Sequence, residues 1–191
     1  MDTITQNRNL KQTPASQDEC FTESTNDGWG ATPPMSSGWT PNDLETFAAQ
    51  SIMTAKFLLE NDIAQSTSIE IQAQLHGEGR ARLDAAIMVM AGGEVSSYEI
   101  ASRRQQLELV LPHIQNGRSL LDDMMPMDAD DIQALSMHLA DLAYTEHLAQ
   151  HNAVREVDRR MHAGRMAGYL TAATQLREHT PATVSTASMN E

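Results

Sequence analysis

His147 and His151 are the residues whose spacing is most typical of a metal site. A separation of four residues places two imidazoles on one face of a helix, as in a bidentate metal pair. A metal centre needs further ligands, and no Glu-x-x-His motif is present to supply them. The adjacent Glu146 points about 100° away from His147 on a helix. We therefore expect a polar helix face that continues to His162, and retain His147 and His151 as weak metal candidates.

Residues for covalent or calcium chemistry are equally sparse. Cys20 is the only cysteine and stands in a polar segment where no neighbouring base would be held in place. Asp128, Asp130 and Asp131 lack the further ligands and the glycine of a calcium loop, so they are better interpreted as a helix N-terminus. Nucleophile-elbow, phosphate-loop, dinucleotide and zinc-protease motifs are absent from the sequence. We expect no enzymatic activity, no catalytic residue and no cofactor.

The overall charge argues against large classes of partner. The 191 residues include 26 Asp and Glu against 13 Lys and Arg, a net charge of −13, which disfavours nucleic acid and anionic membranes. No apolar run reaches the roughly 18–20 residues of a membrane span, and residues 1–20 lack the apolar region of a signal peptide. We expect a protein of the cytoplasm or of an assembled particle.

The charge is distributed unevenly along the chain. Residues 1–40 carry −3, residues 41–154 carry −11 and residues 155–191 carry +1. Between positions 121 and 154 there are seven acids and no Lys or Arg. The clustered bases that follow include Arg155, Arg159 and Arg160. They fit the C-terminal part of one long helix that begins with acids, or else a docking patch for an acidic partner or a phosphate.

Two tryptophans stand out in the N-terminal segment. Residues 1–39 are rich in Ser, Thr, Asn and Gln, which predicts a disordered arm. Within it, Trp29-Gly30 and Gly38-Trp39 form a mirrored pair that resembles the tryptophan–glycine hooks that bind Argonaute proteins. The resemblance covers eleven residues and implies that Trp29 and Trp39 anchor in a partner's pocket. The alternative is that either indole folds back onto the helical body.

Apolar residues at helical spacing predict three helices before the acidic stretch. The first is capped by Thr40 and runs to about residue 63. The second begins with a Thr67/Glu70 capping box and ends at residues 92–93, with glycines at 77 and 79 that favour a bend. The third begins with a Ser96/Glu99 capping box and ends before Pro112.

The last helical pattern is too long for one domain helix. It begins at Asp128 and extends to about Leu176, which would be about 70 Å if straight. It must therefore project or break, and we predict the break near Gly164. Gly164 and Gly168 also form a small-xxx-small step, which permits another helix to approach closely.

Methionines mark a candidate docking surface. Met124, Met125 and Met127 surround Pro126 at a predicted helix junction. Their flexible thioethers suit an adaptable binding surface if they are exposed.

Together these patterns predict an all-α bundle of four or five helices over residues 40–179, with a flexible tail at 180–191. The expected function is a non-enzymatic protein–protein interaction as an adaptor, assembly factor or regulator. A self-assembling component, such as a virion protein, fits the same features. The alternative is a DNA-binding regulator whose helix from Ser96 presents Arg103 and Arg104 to phosphate, against the repulsion of the acidic body. A histidine-based metal-binding protein is third.

Overall fold

The chain is all-α, as predicted. The computed structural model describes residues 39–66, 68–121 and 124–178, and within them no strand occurs. All of the predicted arm except Trp39, including Trp29 and Cys20, and the predicted tail lie outside the described residues. The five long helices are α1 (Pro41–Phe57), α2 (Ile69–Met90), α3 (Ser97–Val110), α4 (Ala129–Asn152) and α5 (Glu156–Glu178).

Most helix starts follow the predicted caps. Thr40 and Asp43 form a capping box at α1, and Asp128 does the same with a later aspartate at α4. The Ser96 hydroxyl accepts a hydrogen bond from the third amide of α3. The predicted Thr67 cap of α2 is wrong. The helix is capped by Ser68, whose hydroxyl accepts a hydrogen bond from the Ile71 amide at 3.4 Å. Thr67 lies outside the described residues.

The ends of the helices are also determined by neighbouring residues in the sequence. α1 continues through a π-helical turn at Leu58–Asp62 and a short α-helical turn at Ile63–Gln65. α3 ends just before Pro112, because proline lacks the amide needed to extend the α-helical ladder. The chain then passes through 3₁₀ turns at Leu111–His113 and Gly117–Leu120.

The long C-terminal pattern breaks ten residues earlier than predicted. α4 ends at Asn152, Ala153 is extended, and α5 begins at Glu156. The prediction of a break at Gly164 is wrong, since Gly164 lies buried inside α5. That prediction assumed that glycine would break the helix, whereas the absence of a side chain at Gly164 makes room for a neighbouring helix.

α2 and α5 run parallel and in close contact, and they form the centre of the fold. A Cβ atom at Gly164 would collide with the backbone carbonyl of Gln74, and one at Gly77 with the carbonyl of Met161. At Gly168 it would lie 2.7 Å from the Ala81 side chain. The predicted close approach at the small-xxx-small step is confirmed. The glycines at 77 and 79 lie within one uninterrupted α-helix.

The remaining helices flank this pair. α1 packs antiparallel to α2, and α4 packs antiparallel to α5. The connection from α3 to α4 runs along α1, where Lys56 Nζ donates to the Ile114 carbonyl at 2.7 Å. The largest fully buried apolar side chains come from α1, α2, α4 and α5: Ile52, Leu83, Ile87, Met88, Val89, Ile132, Leu135, Leu139 and Leu176.

The described helices are all too short or too polar to cross a bilayer.

Candidate functional site

A groove of about 580 Å³ opens between the end of α2, the inner side of α3 and three residues that precede α4, Ser119, Leu120 and Met125. Ile87 and Leu107 are buried at its base, and Met90 is partly buried. Of the polar side chains that line it, Glu99, Arg103 and Gln106 come from α3, and Ser119 comes from the 3₁₀ turn at Gly117–Leu120. The groove therefore exposes apolar and polar surface in similar amounts, with most of its polar side chains on the wall formed by α3.

The α2 C-terminus places a methionine at the groove. Gly92 has φ +77°, a left-handed conformation that glycine adopts without strain. A Cβ atom there would lie 2.9 Å from Met125 Cβ. The Met125 amide donates to the Met90 carbonyl at 3.0 Å. The absent side chain and this backbone bond together hold the methionine segment against the end of α2.

The three candidate methionines differ in exposure. Met125 is 57% exposed and lines the groove. Met124 and Met127 are partly buried and pack against the core. Only Met125 is thus available as a contact for another molecule, while its two neighbours attach the segment to the bundle.

α3 is attached to the bundle by few apolar contacts. Leu107 is its only buried residue. Two ion pairs to α2 add to this contact: Arg104 Nη1 lies 2.7 Å from a carboxylate oxygen of Asp84, and Arg80 Nε lies 2.9 Å from one of Glu108. One wall of the groove is therefore held largely by polar pairs.

Asp84 is a buried acid that sequence patterns do not reveal. It is 1% exposed and accepts hydrogen bonds from Arg104 Nη1 at 2.7 and 2.8 Å and from the Tyr169 hydroxyl at 2.7 Å. Burial raises the pKa of its carboxyl, and the Arg104 and Tyr169 bonds oppose that rise. Burial and the nearby Asp84 carboxylate likewise raise the pKa of the Tyr169 phenol. The cluster joins α2, α3 and α5, and its enclosure keeps a substrate from reaching the acid.

A second polar cluster joins α4 to α5. The buried Glu146 accepts from Arg165 Nη1 at 2.9 Å, and its other oxygen lies 2.6 Å from His162 Nδ1. Arg165 Nη2 also donates to the Tyr169 hydroxyl at 3.4 Å, which links this cluster to Asp84. The sequence contains one signal for this arrangement. Glu146 and the adjacent His147 lie on different faces of α4, so their side chains point apart.

The histidine pair lies apart from these clusters. The rings of His147 and His151 meet edge to face, with centroids 4.5 Å apart. His162, expected on the same stripe, lies on α5 and turns toward Glu146 instead, because the chain reverses after α4. Among the described residues no group of three or more His, Cys, Asp or Glu side chains is arranged to hold a metal.

The arginine cluster lies at the start of α5. Arg155 pairs with Asp158 at 2.6 Å, and Arg159 and Arg160 both pair with Glu156, at 3.0 and 2.8 Å. The interpretation of these bases as the C-terminal end of a long helix is wrong, since a new helix begins among them. Their role in binding a partner stays a prediction.

The remaining candidates also have partners within the chain. The Trp39 indole donates to the Leu176 carbonyl at 3.1 Å and meets the Phe47 ring edge to face. Arg103 pairs with Glu99 on α3 at 2.7 Å, and Arg104 is directed at Asp84. Trp39 thus packs on the bundle, and its role as an anchor for a partner stays a prediction.

The chain matches no protein-family model, no curated protein and no solved structure. Its function is therefore inferred from the residues of the chain itself.

Proposed function

We propose that this chain is a non-enzymatic protein-interaction protein, acting as an adaptor, assembly factor or regulator. The groove beside α3 binds an amphipathic helix of a partner protein. The observation that carries this proposal is a groove of about 580 Å³ with an apolar base and the exposed Met125 at its surface.

The groove suits apolar side chains presented by a helix. Ile87, Met90 and Leu107 offer aliphatic and thioether surface, and methionine adapts to ligands of different shape. A helix that binds in a groove does so through apolar residues on one face. The partner's apolar side chains would occupy the base of the groove.

The charge of the surrounding chain favours basic residues beside those apolar positions. Residues 41–154 carry six Lys or Arg against seventeen Asp or Glu, a net of −11. Complementary charge speeds association and favours one orientation of the partner. A basic amphipathic helix therefore fits this surface better than an acidic one.

The attachment of α3 supports a groove that adjusts to its ligand. Leu107 is the only buried residue of α3, so a small displacement of this helix disturbs little apolar packing. Such weakly packed elements open at a low free-energy cost, and binding elements commonly have this property.

The test compares partner capture by the wild-type chain and two variants. Met125→Glu places a charge at the groove on an exposed side chain, whereas Val154→Glu changes a side chain that is 90% exposed between α4 and α5. We expect proteins from the native source to bind the wild type and the Val154 variant but not the Met125 variant. The bound region, mapped by cross-linking, should be a basic amphipathic helix.

Equal capture by all three baits would contradict the groove as the binding site. Capture of only further copies of this chain would favour the self-assembling component instead.

A further inference from the structure

A second, smaller cavity lies between α1, α2 and α5. Its volume is about 270 Å³, below the roughly 300–1,000 Å³ of pockets for drug-sized ligands, so it suits a small molecule or ion. The described residues that line it are mostly polar and include no acid, namely Gln50, Ser51, Met53, Thr54, Arg82 and Gln175. Hydroxyl and amide groups therefore surround one positive charge, and we call this cavity the Arg82 pocket.

Arg82 faces away from the ion pairs that attach α3. Each step along a helix rotates the side chain by about 100°, so residues two apart point in nearly opposite directions. Arg80 and Asp84 pair with α3, whereas Arg82 Nη1 donates to the side-chain oxygen of Gln175 on α5 at 2.9 Å. Arg82 is 9% exposed. The bond from Nη1 holds its guanidinium at the pocket.

The remainder of the Arg82 guanidinium has no partner in the part of the chain that the structure describes. Nε is buried and makes no hydrogen bond. Burial lowers the pKa of the guanidinium, and the charge of Glu78 opposes this shift without forming an ion pair. Because a buried charge is costly unless it is paired and hydrogen-bonded, an anion that reached this group would be bound favourably.

Two other arginines of the chain show what the unused edge of the side chain binds. Arg155 directs Nε and Nη2 at both carboxylate oxygens of Asp158, at 2.6 and 2.7 Å. Arg80 directs the same two nitrogens at Glu108, at 2.9 and 3.4 Å. Two such parallel donors match a pair of oxygens on a carboxylate or a phosphate. In Arg82 the bonded nitrogen is Nη1, so the edge formed by Nε and Nη2 is the one left for a ligand.

We propose that the Arg82 pocket binds a small oxyanion, a free carboxylate or phosphate, through Nε and Nη2 of Arg82. Gln175 positions the guanidinium, and the hydroxyls of Ser51 and Thr54 in the lining are donors for a further oxygen. Ser51 is 2% exposed, so packing restricts the movement of its side chain. The ligand would neutralise Arg82 and satisfy the buried Nε donor.

The surrounding charge makes such binding specific to the pocket. Residues 41–154 carry a net charge of −11, which repels anions from most of this surface. The nearby Glu178 lines an adjacent cavity and not this one. The groove beside α3 and the Arg82 pocket share no lining residue, so this proposal does not depend on the proposed protein interaction.

Thermal unfolding with added anions tests the site. A ligand that binds only the folded chain raises its Tm as the ligand concentration rises. We expect the wild-type Tm to rise when inorganic phosphate or acetate replaces chloride at constant pH and ionic strength. Arg82→Lys keeps a positive charge but lacks the two parallel donors, so its Tm should rise much less. Arg159→Lys is the matched control, because Arg159 is exposed and pairs with Glu156, and it should respond like the wild type.

The comparison between variants removes the general effect of salts. Phosphate stabilises folded proteins by exclusion from their surface, and this contribution should be equal in all three chains. A larger rise in the wild type and in Arg159→Lys than in Arg82→Lys, with either anion, supports the proposal. Equal rises in all three chains with both anions overturn it.

Nuclear magnetic resonance supplies a readout on the unaltered chain, which does not require any variant to fold. The Nε–H signal of Arg82 should shift with increasing phosphate or acetate until it saturates, while that of Arg159 stays in place. An Arg82 signal that responds to neither anion, or equal shifts at both arginines, overturns the proposal.

Discussion

The contact between α2 and α5 and the attachment of α3 represent opposite ways of holding a helix. α2 and α5 meet backbone to backbone at Gly77 and Gly164, where even a methyl group has no room. α3 contributes one buried residue, Leu107, and one partly buried apolar residue, Ile100, and two ion pairs to α2 add to these contacts. The first contact is dense and intolerant of added volume, whereas the second leaves an open groove beside it.

This difference separates stability from binding. Dense packing gives cooperative stability, while few buried apolar contacts permit local opening. The candidate interaction surface lies beside the weakly packed helix. The following substitutions test this division of roles, in order of decreasing expected effect on the stability of the bundle.

Adding a methyl group at the α2–α5 contact should have the largest effect. Alanine is favoured over glycine in a helix by about 1 kcal/mol, yet Gly164→Ala would bring its Cβ into the Gln74 carbonyl. We expect a net loss of about 2–3 kcal/mol in unfolding free energy from this overpacking, measured by urea denaturation. Ala134→Gly on the exposed face of α4 is the control and should lose only about 1 kcal/mol. A Gly164→Ala variant more stable than the wild type would refute the close contact.

Truncating the one buried residue of α3 should have an intermediate and local effect. Leu107→Ala removes apolar contacts and should lower stability by about 2 kcal/mol, the low end for such a change, because the site borders an open groove. Amide exchange should accelerate mainly in residues 97–110. Leu109→Ala, at an exposed position of the same helix, should leave both quantities unchanged, and equal losses in the two variants would contradict this picture.

Removing the Tyr169 hydroxyl should make stability more dependent on pH. Tyr169→Phe deletes a hydrogen bond that lowers the pKa of Asp84, so that pKa should rise further. A hydrogen bond to a charged group contributes about 1.5–3 kcal/mol, and we expect the low end here because Arg104 remains. The change is measured from the carboxyl-carbon chemical shift of Asp84 and from urea unfolding at several pH values.

The sign of this effect follows from linkage. Because burial raises the pKa of Asp84 in the folded chain, its contribution favours folding below the unfolded pKa and is lost as pH rises through the folded pKa. The Phe variant has the higher folded pKa, so its deficit relative to the wild type should grow with rising pH. A deficit independent of pH would show that the hydroxyl does not act on the carboxylate.

A charge at the groove should have the smallest effect on stability. Met125→Glu changes an exposed side chain, and we expect the free energy of unfolding to stay within about 0.5 kcal/mol of the wild type. The same variant should lose partner capture, which separates binding from folding. A large loss of stability would instead indicate that Met125 packs as part of the core.

The elements that could be predicted from sequence are those determined by neighbouring residues. Thr40, Ser96 and Asp128 cap their helices because each side chain bonds an amide three residues away. Pro112 ends α3 for an equally local reason. Helix number and class follow from such signals together with apolar periodicity.

Structural features that depend on contacts between residues distant in sequence could not be predicted. Gly164 is compatible with a helix break or a helix contact, and only the position of α2 decides between them. Asp84 and Tyr169 are 85 residues apart, and no local pattern pairs them. The groove likewise depends on Ser119, Leu120 and Met125 lying beside the end of α2.

Native-state hydrogen exchange tests the division between α2–α5 and α3 most directly. Amides of residues 97–110 should exchange through a local opening of clearly lower free energy than global unfolding. Amides at the centres of α2 and α5 should exchange only when the whole bundle unfolds. If α3 is protected to the same extent as α2 and α5, the claim that the groove lies beside a weakly held helix is contradicted.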